Sequence, residues 1–168
     1  MTICLFTFVD LYSKGLATLD NLLTKGAAFA ASKGVSEAEM FDWRLIDDMN
    51  PLRFQANTVI NFGRQWPARV AGISVPPNVA GDLDVAGYKA AIADARAYLA
   101  GLTAEQFEGR DEVEMTINMG RIEPTLSAGQ WLSTFATTNF YFHLSTAYGI
   151  LRQKGVPIGK MDLFVGGL

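Results

Sequence analysis

The sequence predicts a mainly all-α fold, a four-helix bundle with a long connection between its middle helices and a small β-hairpin before the last helix. Three observations carry this. Four segments repeat apolar residues at gaps of three and four, so each has one apolar helical face. Most of these segments are bracketed by recognisable start and stop residues. A single stretch, near residue 115, switches to a period of two.

The first helix carries Leu5, Val9, Tyr12, Leu16, Leu19, Leu23 and Ala30 on one face, and Gly34 is its expected stop, since glycine adopts a left-handed terminus at least cost. Ser36 and Glu39 match a capping box that opens a short helix towards Phe41 and Trp43. Asn50-Pro51 reads as a cap followed by a first-turn proline. The second long helix then shows Leu52, Gln55, Val59, Phe62 and Trp66 on a stripe ending near Gly72, with a kink expected at Pro67. Its other face, Arg53, Asn57, Asn61 and Arg64, reads as solvent-exposed.

Residues 72–83, with Pro76-Pro77, read as an extended linker. Its dozen residues reach about 40 Å when extended. A helix of some 21 residues is only about 31 Å long. The linker therefore permits two arrangements, a crossover between parallel helices or a slack loop between antiparallel ones. Asp84 caps a third helix bearing Tyr88, Ile92, Ala95, Leu99 and Leu102, and Thr103 with Gln106 opens a small turn closed at Gly109. Val113, Met115 and Ile117 alternate with polar residues, Gly120 turns the chain, and Ile122, Pro124 and Leu126 return. The last helix has the strongest start: Ser127 and Gln130 form a capping box, with Leu126 and Trp131 as a hydrophobic staple. It should run to Lys154, before Gly155 and Pro157.

Composition limits function. The chain has 168 residues, 49% hydrophobic and 18% charged. Its length suits one domain over residues 1–168. The charged share falls below the ~25% usual for soluble domains, which favours a subunit interface or a pocket. A net charge of −3 without basic clusters argues against nucleic acid. The run from Ile3 to Val9 lacks the basic flank and small-residue site of a signal peptide, and no apolar run reaches the ~20 residues of a membrane helix. The single cysteine, Cys4, suits a reducing compartment. A cytoplasmic protein without a membrane partner is expected.

The motifs of most hydrolases, zinc proteins and dinucleotide binders are absent, and Gly155–Met161 is one residue short of a phosphate loop. His143, the single histidine, shares a stripe with Leu132, Ala136, Asn139, Ala147 and Ile150. His143, Asn139, Gln55, Tyr12 and Tyr88 are the polar interruptions of inward stripes and the candidates for an internal pocket. Hydrogen-bonded core polar residues are the simpler reading, because buried polar groups must be paired. Phe140, Tyr141, Phe142 and Tyr148 are candidates to line a cavity or an interface. One imidazole cannot make a transition-metal site by itself, so no metal is expected, and any ligand would be His143.

Asp48–Leu52, Arg69–Gly72 with Pro76, Phe107-Glu108-Gly109, and above all Asn139–His143 continuing through Leu151–Gly159, resemble a family of uncharacterised microbial proteins. It is a domain of unknown function within the DinB/YfiT-like superfamily, many of whose members are regarded as metalloenzymes and dimerise. The resemblance implies the crossover topology. It also implies a metal held by one histidine on the second helix and an H-x-x-x-H on the last. Here His143 takes the final histidine of that motif and Asn139 its partner, while the second helix offers Gln55, Asn57 or Thr58. Amide carbonyls are weak ligands for zinc or nickel. The expectation is a homodimer that binds a small ligand or a partner, with a degenerate metal site and at most a weakly held divalent ion. The alternative is a metal-dependent transferase or hydrolase using His143.

Overall fold

The computed structural model describes residues 4–167; Ile3, which opens the apolar run noted above, lies outside the described residues. The helices are α1 (Thr7–Ser32), α2 (Glu37–Asp42), α3 (Leu52–Ala71) and α4 (Val85–Ala100). They are followed by a 3-10 turn (Ala104–Phe107) and the hairpin β1 (Glu114–Thr116) and β2 (Thr125–Ser127). The last helix, α5, is α-helical at Ala128–Gln130, π-wound at Trp131–Ala136 and α-helical again at Thr137–Gln153. A second 3-10 turn, Lys160–Phe164, follows it.

The stripes face one another. Tyr12, Leu16, Leu19 and Leu23 of α1, Leu52 and Val59 of α3, Tyr88 and Ile92 of α4, and Leu132, Ala136, Ala147 and Ile150 of α5 are all buried in one cluster. Helix directions follow from paired residues. Ser13 and Asp20 of α1 meet Arg96 and Lys89 of α4, so these two run antiparallel. Gln55 and Trp66 of α3 meet His143 and Trp131 of α5, again antiparallel. Gly15 faces Phe140 and Gly26 faces Leu151, so α1 and α5 run parallel.

The long connection is a crossover. It returns along the outside of α3: Gln65 Nε2 donates to the Pro76 carbonyl at 3.0 Å, Asn61 Oδ1 accepts from Val79 N at 3.0 Å, and Asn57 Nδ2 donates to the Gly81 carbonyl at 3.4 Å. Arg64 bonds the Pro77 carbonyl. The chain therefore enters α4 beside the start of α3, where the Tyr88 hydroxyl donates to the Arg53 carbonyl at 3.2 Å. The polar face Arg53, Asn57, Asn61 and Arg64, expected to be solvated, is half-buried: Asn57, Asn61 and Arg64 satisfy this strap's backbone, and Arg53 bonds Asp42 and the Ala38 carbonyl of α2.

Several boundaries match the residues that predict them. Gly34, Gly72, Gly109, Gly120 and Gly155 all take positive φ. Ser36 Oγ accepts from Glu39 N, Asp84 Oδ1 accepts from Gly87 N, and the Ser127–Gln130 box is made in both directions. The cap expected at Asn50 is not formed. Pro51 takes the cap position in an extended conformation, without a side-chain bond, and Leu52 is the first helical residue. The Asn50 carbonyl instead accepts from Gln55 Nε2. Helix α3 continues through Pro67 to Ala71. The π winding of α5 was not anticipated.

The hairpin pairs Glu114 with Ser127, Met115 with Leu126 and Thr116 with Thr125. Trp131 Nε1 donates to the Met115 carbonyl at 2.8 Å, fastening the hairpin to the start of α5.

Candidate functional site

The candidate site is built where α3 and α5 cross. Gln55 projects from the first turn of α3, and its Nε2 donates to the Asn50 carbonyl at 2.9 Å. That bond fixes the amide orientation and leaves Oε1 facing α5. There it lies 2.7 Å from His143 Nδ1. An amide oxygen only accepts, so Nδ1 donates and carries the proton. In the neutral ring Nε2 is then the acceptor. Burial pushes the imidazole pKa below its ordinary 6.5, which favours this neutral form.

Aromatic rings flank the imidazole. Phe142 and Phe54 lie with centroids 5.2 and 5.8 Å away, and Phe62 at 6.5 Å. Phe54 and Phe142 are 42% and 54% exposed. Behind Phe62 the rings continue inward as Phe135, Trp66 and Trp131, the two indoles stacked at 5.6 Å. His143 thus sits at the outer end of an aromatic row, with its ring half-buried.

The other sequence candidates go elsewhere. Asn139 spends its amide N–H on the Phe135 carbonyl one turn back, at 2.8 Å. Tyr12 is fully buried between α1 and α5, with its ring 4.8 Å from Phe140. Its hydroxyl lies 3.0 Å from Thr137 Oγ1, which itself donates to the Leu132 carbonyl at 2.8 Å. The Tyr12 hydroxyl therefore donates into a chain that supports the π segment. Burial raises its pKa strongly. Tyr88 packs on Phe41 and bonds Arg53, and burial pushes its phenol up to about 12. Of the five candidates, the structure joins Gln55 and His143. Tyr12 and Tyr88 interrupt their stripes for separate hydrogen bonds.

Phe54 was missed as part of this site. Its signal is an exposed aromatic one residue before a buried glutamine, on a face otherwise polar. Among the aromatics expected to line a cavity, Phe140 is core, Phe142 reaches His143, and Tyr141 lines a different cavity.

The donor set does not suit a transition metal. Gln55 Oε1 is occupied by the Nδ1 proton, and Asn139 would offer an amide oxygen, a weak ligand for zinc or nickel. Among the described residues no three His, Cys, Asp or Glu side chains gather closely enough to hold a metal ion. No described helix is long and apolar enough to cross a membrane.

Comparison with known proteins places this geometry in context. The domain of unknown function DUF1993 matches residues 6–164. The crystal structure of a DinB family member protein from Shewanella denitrificans superposes with a TM-score of 0.86 and 28% identity, over 95% of this chain and 90% of that one. The helical architecture is accordingly DinB-like. No curated protein matches the sequence.

Proposed function

The chain belongs to the DUF1993 family, a domain of unknown function, and from that premise we propose that it acts by binding, as a homodimer, through the face that carries His143. The carrying observation is the Gln55–His143 hydrogen bond rimmed by the exposed rings of Phe54 and Phe142. The bond engages Gln55 Oε1 and leaves one imidazole nitrogen, Nε2, as the pair's available acceptor. What the pair presents is this uncharged acceptor among aromatic edges. Such a face suits an apolar partner surface with a hydrogen-bond donor. The partner in this reading is a second copy of this chain.

Exposed aromatic side chains of this kind anchor interfaces. A stable dimer buries ~1,200–2,000 Å² in total, so the contact must extend beyond the two rings, and exposed Ile46 and Leu45 on the loop before α3 are available to it. Light scattering at micromolar concentration should give twice the chain mass, and Phe54→Asp with Phe142→Asp should give the single-chain mass. A monomeric wild type overturns the reading.

The same reading holds that the protein carries no stoichiometric transition metal. After incubation with Zn²⁺, Ni²⁺ or Fe²⁺ and desalting, elemental analysis should give far less than one ion per chain. A value near one, abolished by His143→Ala, would replace this reading with a metal-dependent transferase or hydrolase.

A further inference from the structure

A cavity of about 490 Å³ opens between α1, α5 and the C-terminal turn. Leu11 of α1, Tyr141, Leu144 and Ser145 of α5, and Leu163 and Phe164 of the turn line it. It lies on the opposite side of α5 from His143, since Tyr141 and Ser145 are each two residues from His143 and a helix turns about 100° per residue. The cavity therefore stands apart from the face described above.

The C-terminal segment is a built wall. Asp162 accepts from Lys25 Nζ at 2.5 Å, from Gly159 N at 2.8 Å and from Asn21 Nδ2 at 3.1 Å. The Thr18 hydroxyl donates to the Leu163 carbonyl at 3.1 Å. A Cβ at Gly166 would fall onto the Lys14 carbonyl, so the chain crosses α1 in backbone contact. The ammonium of Lys25, with these other bonds, holds the Asp162 carboxyl down at about 2. The latch stays ionised at any physiological pH.

Volume and lining define the occupant. Small-molecule sites span ~300–1,000 Å³ and combine apolar walls with a few polar groups. Among the described residues lining this cavity the charged pair is Asp10 and Lys14, bonded to each other at 3.0 Å. An ion entering it would lose hydration against walls that are mostly apolar, where the one described charged pair is already joined. The hydroxyl-bearing Tyr141 and Ser145, one turn apart, supply neutral polarity. We propose that this cavity binds a small uncharged molecule with an apolar body and one hydrogen-bonding group, of the kind a hydroxylated aromatic ring provides.

The probe for the test is 1-naphthol, with anionic 1-naphthoate as comparator, titrated calorimetrically into the full chain. Saturable binding of naphthol is expected, at least tenfold weaker for naphthoate. Ser145→Trp, which fills the cavity, should weaken naphthol at least tenfold, while His143→Ala should leave it within twofold. Should Ser145→Trp fail to fold, intermolecular NOEs in the wild type decide. Contacts from naphthol to the Leu144 and Leu163 methyl groups support the site. Overturning outcomes are absence of saturable binding, undiminished binding by folded Ser145→Trp, or NOEs confined to Phe54 and Phe142.

Discussion

Gly15 of α1 stands so close to Phe140 of α5 that a Cβ added at Gly15 would lie inside the phenyl ring's contact distance. The ring is fully buried and rests on Tyr12 as well. The parallel approach of the first and last helices therefore depends on missing side chains in α1, most tightly at Gly15 and again at Gly26 against Leu151.

Gly15→Ala should accordingly destabilise the protein. Alanine is the better helix former by about 1 kcal/mol, but overpacking a filled core costs ~1–3 kcal/mol, and Phe140 cannot move without displacing Tyr12. A urea melt should show a lower midpoint with an unchanged slope. A raised midpoint would mean that the two helices separate freely.

His143 should make stability depend on pH in a defined window. Its folded pKa lies below the ordinary 6.5, so below that pH the unfolded chain binds a proton that the folded chain refuses. Stability should be complete above pH 6.5 and fall as the pH drops from 6.5 towards the folded value. Because the chain has one histidine, its single imidazole NMR signal reports that value directly. His143→Phe should flatten the pH dependence just below 6.5. The contribution of Asp162 falls in a separate range, present above its ordinary 3.8 and lost as the pH falls through about 2.

Tyr12 and Thr137 form an ordered chain, so their substitutions should differ in size. Tyr12→Phe removes one donor while Thr137 keeps its bond to the Leu132 carbonyl, a loss of about 1 kcal/mol. Thr137→Val strands the Tyr12 hydroxyl at a cost of ~1–3 kcal/mol, while the Leu132 carbonyl keeps the backbone N–H of residue 137. Thermal or denaturant melts should rank the two in that order, and equal losses would break the proposed direction of the bonds.

The crossover is fastened by side chains, so its amides should be individually sensitive. Asn61 accepts the Val79 N–H at 3.0 Å. Asn61→Ala should raise hydrogen exchange at Val79 by at least tenfold, leaving the amides of α3 and α4 near their wild-type rates. Unchanged exchange at Val79 would show that the strap is held by other contacts.

Local chemistry determined much of this fold from sequence. Stripe residues such as Leu16, Val59 and Ile92 are buried because a helix apolar on one side has to cover it. Gly72 and Gly155 end helices because a left-handed residue there costs glycine almost nothing. Ser127 and Gln130 cap because both groups lie within four residues of each other. Each of these follows from neighbours along the chain.

Only the tertiary structure decided where polar stripe residues spend their hydrogen bonds. Tyr12, Gln55 and Tyr88 read alike in the sequence, yet they pair with Thr137, His143 and Arg53. Partners 35 to 125 residues away leave no local periodic trace. The polar face of α3 was legible as polar, but not as the anchorage of the crossover, because the same residues serve a solvated surface equally well. The π winding of α5 and the cavity beside Leu163 arise from how α1, α3 and the C-terminal turn pack against that helix. Periodicity specifies which face turns inward; the shape and chemistry of what it meets there depend on distant segments brought together.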